Sequence, residues 1–132
     1  MRNPAVVLAT VVLGGLLLYQ GCGTTPVRGP DGDIEGTITH GTLTATMDRG
    51  IGQVFAAVQA AVQQLGLTTV MAEQDGVSAE VLARDTQQQT IAIRLDAVSP
   101  NRTSLAMRVG IFGDANKTRV IFRKIQENLR AG

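Results

Sequence analysis

The stretch QTIAIRLDAVSPNRTSLAMRVGI, residues 89–111, decides the fold. Apolar and polar residues alternate on both sides of the turn Ser99-Pro100-Asn101, which is the period of a strand with one buried face. The pattern predicts strands over 89–98 and 103–111, paired as an antiparallel hairpin. The residues expected to face inward are Ile91, Ile93, Leu95, Leu105, Met107, Val109 and Ile111.

Two more strand pairs are predicted upstream of this hairpin. Strands over 34–39 and 42–47 are separated by His40-Gly41, which suits a two-residue hairpin turn. The same alternation, with an Asp-Gly dipeptide between the runs, predicts a second pair over 67–73 and 77–84.

Two amphipathic helices are predicted, over 49–65 and 115–130. Asp48 and Asp114 stand where an N-cap is expected, and Gly66 suits a left-handed C-terminal cap. Apolar residues recur at helical spacing in both segments. They are Ile51, Val54, Phe55, Val58, Val62 and Leu65 in the first, and Ile121, Phe122, Ile125 and Leu129 in the second.

These elements predict a single α+β domain over 34–132. Strands with one apolar face pair as an antiparallel sheet, and two amphipathic helices can cover that face. The expected architecture is therefore a two-layer sandwich with both helices on one side and a free sheet face on the other. Mildly apolar positions are expected along the free face, at Thr68, Val70, Ala72, Leu82, Ala92 and Ala106.

The N-terminal segment reads as a secretory signal peptide over 1–21. Arg2 supplies positive charge, and the apolar run Ala5–Leu18 is shorter than the ~20 residues that span a bilayer. The run ends in Leu18-Tyr19-Gln20-Gly21-Cys22, which resembles a lipobox, with Tyr19 where an aliphatic residue is usual. That resemblance implies lipidation of Cys22. By analogy with lipoproteins of enteric bacteria, Gly23 after the cysteine favours an outer-membrane location facing the periplasm. A short uncleaved membrane anchor is the alternative.

The segment 22–33 is predicted to be the lipidated cysteine followed by a flexible tether. Residues 23–33 contain three Gly and two Pro and show no apolar periodicity. Cys22 is the sole cysteine, so no intramolecular disulfide can form, and lipidation would account for an odd thiol in an exported protein.

Composition argues against nucleic-acid binding. The chain has 12 basic and 11 acidic residues, and removal of a signal peptide that contains Arg2 would leave the two in balance. A nucleic-acid binder requires a basic surface. Trp is absent and the one Tyr lies in the signal segment, so aromatic stacking platforms are not expected either.

No catalytic or metal-binding pattern is found. His40 is the single histidine and has no second His or Cys with which to hold zinc. No serine stands in a G-x-S-x-G elbow. We therefore expect no enzymatic activity, no metal and no cofactor.

The last helix is basic on its polar side and is a candidate interaction surface. Its candidate residues are Lys117, Arg123, Lys124 and Arg130. They would meet anionic lipid or an acidic envelope protein. The alternative is an ordinary solvated helix face, in which basic residues near the C-terminus complement the helix dipole.

From residue 34 onward the chain resembles a family of small bacterial lipoproteins whose domain has no assigned function. The segments that carry the resemblance are Gly41-Thr42-Leu43, Val54-Phe55-Ala56-Ala57, Leu65-Gly66-Leu67, Met107–Asp114 and the Ile121-x3-Ile125-x3-Leu129 pattern. The resemblance covers about three-quarters of the chain. The resemblance implies a lipid-anchored envelope protein and adds no catalytic residue. We expect a non-enzymatic interaction or structural accessory domain. The alternative is a small-ligand or lipid-binding module with a cavity between helices and sheet.

Overall fold

The computed structural model describes residues 24–28 and 34–131. The predicted signal segment and Cys22 lie outside these residues. The described chain forms seven strands and two helices. The strands are β1 (Thr24–Arg28), β2 (Ile34–Thr39), β3 (Thr42–Met47), β4 (Thr68–Gln74), β5 (Ser78–Arg84), β6 (Thr90–Ser99) and β7 (Arg102–Val109), and the helices are α1 (Ile51–Gln64) and α2 (Ala115–Ala131).

All seven strands join one antiparallel sheet in the order β1-β2-β3-β7-β6-β5-β4. Both helices pack against this sheet and against each other. The predicted α+β architecture is confirmed. Neither helix in the described part of the chain is long and apolar enough to cross a bilayer.

The core lies between the helices and the centre of the sheet. β6 and β7 pair Leu95 with Leu105 and Ile93 with Met107, and all four side chains are at most 2 % exposed. From the helix side, Val58 and Phe122 are equally buried. Side chains this inaccessible to solvent are typical of the close-packed interior of a domain.

The prediction that Ile111 continues the inward row of β7 is wrong. The strand ends at Val109, and Gly110 turns the chain away with a φ of +72°. Ile111 is 84 % exposed as a result. Period-2 alternation cannot detect this end, because the sequence pattern continues past the last paired residue.

The predicted tether is interrupted by a strand. β1 pairs with β2 along the sheet edge, and Val27 is only 6 % exposed on the inner face. Pro26 lies within β1, where an edge strand tolerates a residue that lacks an amide hydrogen. A strand with one inward apolar residue has no alternation to recognise, so composition alone predicted a tether.

The free face of β4 also differs from the expectation. The register with β5 shifts between Thr69 and Met71, so Val70 is the extra residue of a bulge. Beyond it, Met71 lies opposite Leu82 on the free face, and Ala72 packs against the core. The predicted place of Ala72 on the free face is wrong, because one inserted residue exchanges the two faces.

One of the two predicted helix N-caps is confirmed. Asp114 caps α2 by accepting the Lys117 amide at 3.1 Å, as predicted. Asp48 does not cap α1, whose N-cap is Gly50; the Asp48 carboxylate instead accepts from Arg102 at 3.1 Å.

Gly66 lies in the C-terminal cap of α1, as predicted. Gly66 has a φ of +71°, and its amide bonds to the Gln63 carbonyl at 3.1 Å. The Leu67 amide reaches back to the Val62 carbonyl at 2.9 Å. Together these bonds form a Schellman motif, which satisfies carbonyl groups that the last helical turn leaves open.

A buried hydroxyl joins the start of α1 to the sheet. Thr103 faces the interior of β7 and is fully buried, and its Oγ1 donates to the Arg49 carbonyl at 2.8 Å. This bond satisfies a backbone oxygen just before the helix and fixes the angle at which the chain leaves β3.

Replacing Thr103 with valine is expected to lower the free energy of unfolding by about 1 to 2 kcal/mol, because the Arg49 carbonyl loses this donor in a dry site. Thr118→Val is the matched control. Thr118 is equally buried, but the Asp114 carbonyl that its hydroxyl contacts also accepts the Thr118 amide. In urea unfolding, Thr103→Val should lose more free energy of unfolding than Thr118→Val. Equal losses would contradict the role given to the bond between Thr103 and the Arg49 carbonyl.

Candidate functional site

The candidate site lies at the end of the sheet at which β1 begins, called here the proximal end. Thr24 pairs with Thr39, Thr39 with Thr42, and Thr42 with Arg108, so one row of residues crosses four strands there. Four connections lie at this end: the β2–β3 turn, the β5–β6 loop, the β7–α2 loop and the α1–β4 connection.

The β2–β3 turn is the predicted two-residue hairpin. His40 and Gly41 have φ values of +52° and +81°, as a type I′ turn requires. His40 is exposed. Within residues 24–28 and 34–131, no three His, Cys, Asp or Glu side chains come together to form a metal site.

The β7–α2 loop carries two large apolar side chains into solvent. Ile111 is 84 % exposed and Phe112 is 90 % exposed. They are flanked by Gly110 and Gly113, whose φ values are +72° and +80°. The two side chains are called here the apolar tip. Sequence alternation had assigned one of them to the core and had given the other no role.

The Arg108 guanidinium holds the apolar tip in place. Its Nε and Nη2 donate to the Ile111 carbonyl, the Nε at 3.1 Å. Its Nη1 donates to the His40 carbonyl at 2.8 Å and to the Thr42 hydroxyl at 3.1 Å. One side chain therefore joins the β7–α2 loop to the β2–β3 turn.

Two glycines bring these loops into backbone contact. A Cβ added at Gly113 would lie 2.5 Å from the Gly41 Cα and 2.6 Å from its carbonyl oxygen. A Cβ at Gly41 would lie 2.7 Å from the Phe112 carbonyl oxygen. Only glycine fits on either side of the contact, so the backbone of the β7–α2 loop rests on the β2–β3 turn.

The β5–β6 loop is clamped to α2 by Lys117. Its Nζ donates to Asp85 at 2.7 Å and to the side-chain carbonyls of Gln87 and Gln89. The second Asp85 oxygen accepts the Gln87 and Gln89 amides, both at 2.9 Å. The Lys117 bond, followed by the Gln89 amide, holds the pKa of the Asp85 carboxyl below its usual value of 3.8.

The predicted basic surface divides between two flanks of α2. Lys117 is occupied by the clamp, and Lys124 pairs with Glu127 at 3.4 Å. Lys117 and Lys124 are seven residues apart, so they share one flank. Arg123 lies on the other flank with Arg130, also seven residues on.

Arg119 was not among the predicted interaction residues, but it belongs to the second flank. It lies four residues before Arg123, the spacing of neighbours on a helix surface. Arg119, Arg123 and Arg130 are called here the arginine flank. No carboxylate within the described residues pairs with Arg119 or Arg123. The interaction surface predicted for α2 stays a prediction, and two of its four residues, Arg123 and Arg130, lie on this flank.

A groove with a volume of about 740 Å³ follows β3. Its walls include Thr44 and Ala106 from the free face of the sheet, and Met47, Phe122 and Leu129 from the helix side. The groove therefore wraps around the strand, and part of its wall lies between α2 and the sheet.

The free sheet face is polar along its central strands. Glu80 and Arg94 are directly opposite each other, but the Arg94 guanidinium forms its ion pair with Asp96, at 3.3 Å. Threonines dominate the β2–β3 half, where the Thr37 and Thr44 hydroxyls are 3.3 Å apart. The charges and hydroxyl groups give this face less apolar character than the sequence suggested.

Replacing Gly113 with alanine is expected to cost more than about 2 kcal/mol, because it combines a positive φ with overlap against Gly41. Gly66→Ala is the matched control. Gly66 also has a positive φ, but no atom lies within 4 Å of an added Cβ. Gly66→Ala should therefore lower the free energy of unfolding by about 1 kcal/mol. Thermal and urea unfolding measure both. A Gly113→Ala loss no larger than that of Gly66→Ala would show that the loop contact is loose.

Asp85→Asn is expected to lower the urea midpoint at pH 7, because it removes the charge that Lys117 binds. A carboxyl with a lowered pKa in the folded state stabilises the protein above the unfolded-state pKa, and this contribution is lost as the pH falls through the folded-state value. The midpoint difference between wild type and Asp85→Asn should therefore shrink as the pH falls from about 5 to below 3.8.

Asp48→Asn is the control for this pH series. The Asp48 carboxylate is 78 % exposed and its pair with Arg102 lies at the surface, so its removal should change the midpoint little at any pH. A constant difference between wild type and Asp85→Asn from pH 7 to pH 3 would disprove the role of the Lys117 clamp.

Comparison with known proteins gives a family without an activity. No curated protein matches the chain. Residues 5–128 match the family model described as Protein of unknown function (DUF3568). The match covers the sheet, α1 and nearly all of α2, so the chain belongs to the DUF3568 family of proteins of unknown function.

Proposed function

We propose that this protein is a lipid-anchored lipoprotein of the bacterial cell envelope, acting as a non-enzymatic interaction or structural accessory. The observation that carries the proposal is the apolar run Ala5–Leu18, followed within four residues by Cys22, directly before a folded domain. The family match begins at residue 5 and so includes the apolar run and the cysteine. This supports treating the N-terminal segment as part of what the family shares.

Lipidation of Cys22 is the anchor chemistry that fits these residues. Each buried methylene of an acyl chain contributes about 0.8 kcal/mol, and stable anchoring requires more than one chain. A cysteine carrying a diacylglyceryl group meets that requirement. We propose the outer membrane as its location, with the domain on the periplasmic side.

The accessory role is supported by the surfaces of the domain. The arginine flank presents positive charge on α2, and an acidic envelope protein is the partner that such a surface would select by charge. Lys117 is bound by side chains of the β5–β6 loop and does not belong to this surface. The proposed contact surface therefore has fewer basic residues than the sequence suggested.

A small-ligand or lipid-binding module is less well supported. It would need a cavity between the layers, and the apolar side chains of β6 and β7 at the centre of the sheet are nearly inaccessible to solvent. The groove along β3 is open to solvent and has charged walls, including Asp48 and Arg49.

Growth of the expressing bacterium with a palmitate analogue tests the anchor. The wild-type chain should be labelled and found in the membrane fraction, and Cys22→Ala should be unlabelled, because the chain has no other thiol. Separation of inner and outer membranes then tests the location. An unlabelled wild-type protein would disprove the lipid anchor.

A further inference from the structure

We propose that the proximal end of the domain faces the bilayer and that the apolar tip, Ile111 and Phe112, inserts into the lipid interface. The proposal rests on the proposed N-terminal anchor and adds an orientation and a second membrane contact. The partner of the apolar tip is the lipid bilayer, which would bury the two tip side chains beside the anchor.

The position of β1 ties the anchor to this end. Only Gly23 separates Cys22 from Thr24, so covalent geometry keeps the two Cα atoms within about 7 Å of each other. Thr24 begins β1 at the proximal end, opposite Thr39. An anchor at Cys22 therefore holds this end of the sheet, and not the opposite one, against the membrane.

The apolar tip is close to the same point. Thr24 and Arg108 belong to one cross-strand row and are three strand spacings apart, about 14 Å. The loop that carries the tip leans from β7 towards β1, because Gly113 contacts Gly41 in the β2–β3 turn. The anchor and the tip are therefore neighbours on one surface.

The tip is held in an exposed conformation by its own backbone. Two left-handed glycines and the Arg108 bonds to the Ile111 carbonyl fix the loop. Ile111 and Phe112 therefore stay in water although both are large and apolar. Adjacent exposed apolar side chains of this size are typical of membrane or partner contacts.

The charges around the tip favour an anionic lipid surface. The described charged side chains at the proximal end and on the first turns of α2 have an excess of positive charge. They are Arg84, Arg108, Lys117 and Arg119 against Asp85 and Asp114. Basic residues near a bilayer gain energy from anionic headgroups, while an apolar tip enters the acyl boundary.

The opposite end of the sheet supplies an internal control. Val77 is 68 % exposed in the β4–β5 turn, at the other end of the strands from Thr24. It is apolar and exposed like the tip, but it lies far from the anchor. If exposure alone drove membrane contact, Val77 would behave as Phe112 does.

Tryptophan fluorescence can test the orientation without background, because the chain contains no Trp. Full-length Phe112→Trp and Val77→Trp proteins are reconstituted into phosphatidylethanolamine and phosphatidylglycerol vesicles, with and without lipids brominated on the acyl chains. We expect the emission of the Phe112→Trp protein to shift to the blue and to fall by about half with brominated lipid, and that of Val77→Trp to do neither. Ile111→Trp is a second reporter at the same tip.

Two outcomes would overturn the proposal. Emission from Phe112→Trp that matches Val77→Trp in vesicles would place the tip in water, available to a protein partner. A blue shift in lipid-free detergent that grows with protein concentration would assign the tip to a second copy of the chain. Circular dichroism of each variant confirms that the substituted proteins are folded.

The mass of the intact protein in the same samples separates this inference from the proposed anchor. If Cys22 is unmodified and the tip is quenched, lipidation fails and the orientation stands, because the apolar run Ala5–Leu18 still holds the chain at the bilayer. If Cys22 is lipidated and the tip is not quenched, the anchor stands and the orientation fails.

Discussion

Cross-strand packing between β6 and β7 is the interaction on which the rest of the structure depends. The pairs of Leu95 with Leu105 and Ile93 with Met107 lie at the centre of the sheet and are nearly inaccessible to solvent. Such pairs stabilise a sheet through side-chain contact as well as through the backbone ladder. The other strands extend this hairpin in both directions, and both helices pack on its inner face. Removing that apolar face would leave the helices without a surface to cover.

The sequence predicts this centre well and the margins poorly, for physical reasons. Alternation is strong where a strand has one dry face and one wet face, as in β6 and β7. It is weak at the edges: β1 contains one buried apolar side chain, Val27, and β4 has a bulge at Val70 that exchanges its faces. Edge strands bury less surface, so their residues are less constrained and their pattern is less legible.

The candidate site shows the same limit at longer range. The glycines of the β7–α2 loop are visible in the sequence, and a turn there could be predicted. Their contact with Gly41 could not, because it joins positions about 70 residues apart that only the sheet order brings together. Lys117 likewise looked like a surface cation, and its partners in the β5–β6 loop lie about 30 residues away. Residue type suggested which groups were polar or apolar, and topology decided which were available.

The edge strand β1 also determines how mechanical load enters the domain. The chain that precedes Thr24 enters the domain at the proximal end, and a force on it can act along the axis of β1. In this geometry the hydrogen bonds between β1 and β2 are loaded together in shear, and they do not open one after another as in a peeled hairpin. Burial of Val27 beneath the sheet adds resistance to sliding. A domain attached in this way transmits force to its central strands, where a flexible tether would have absorbed it.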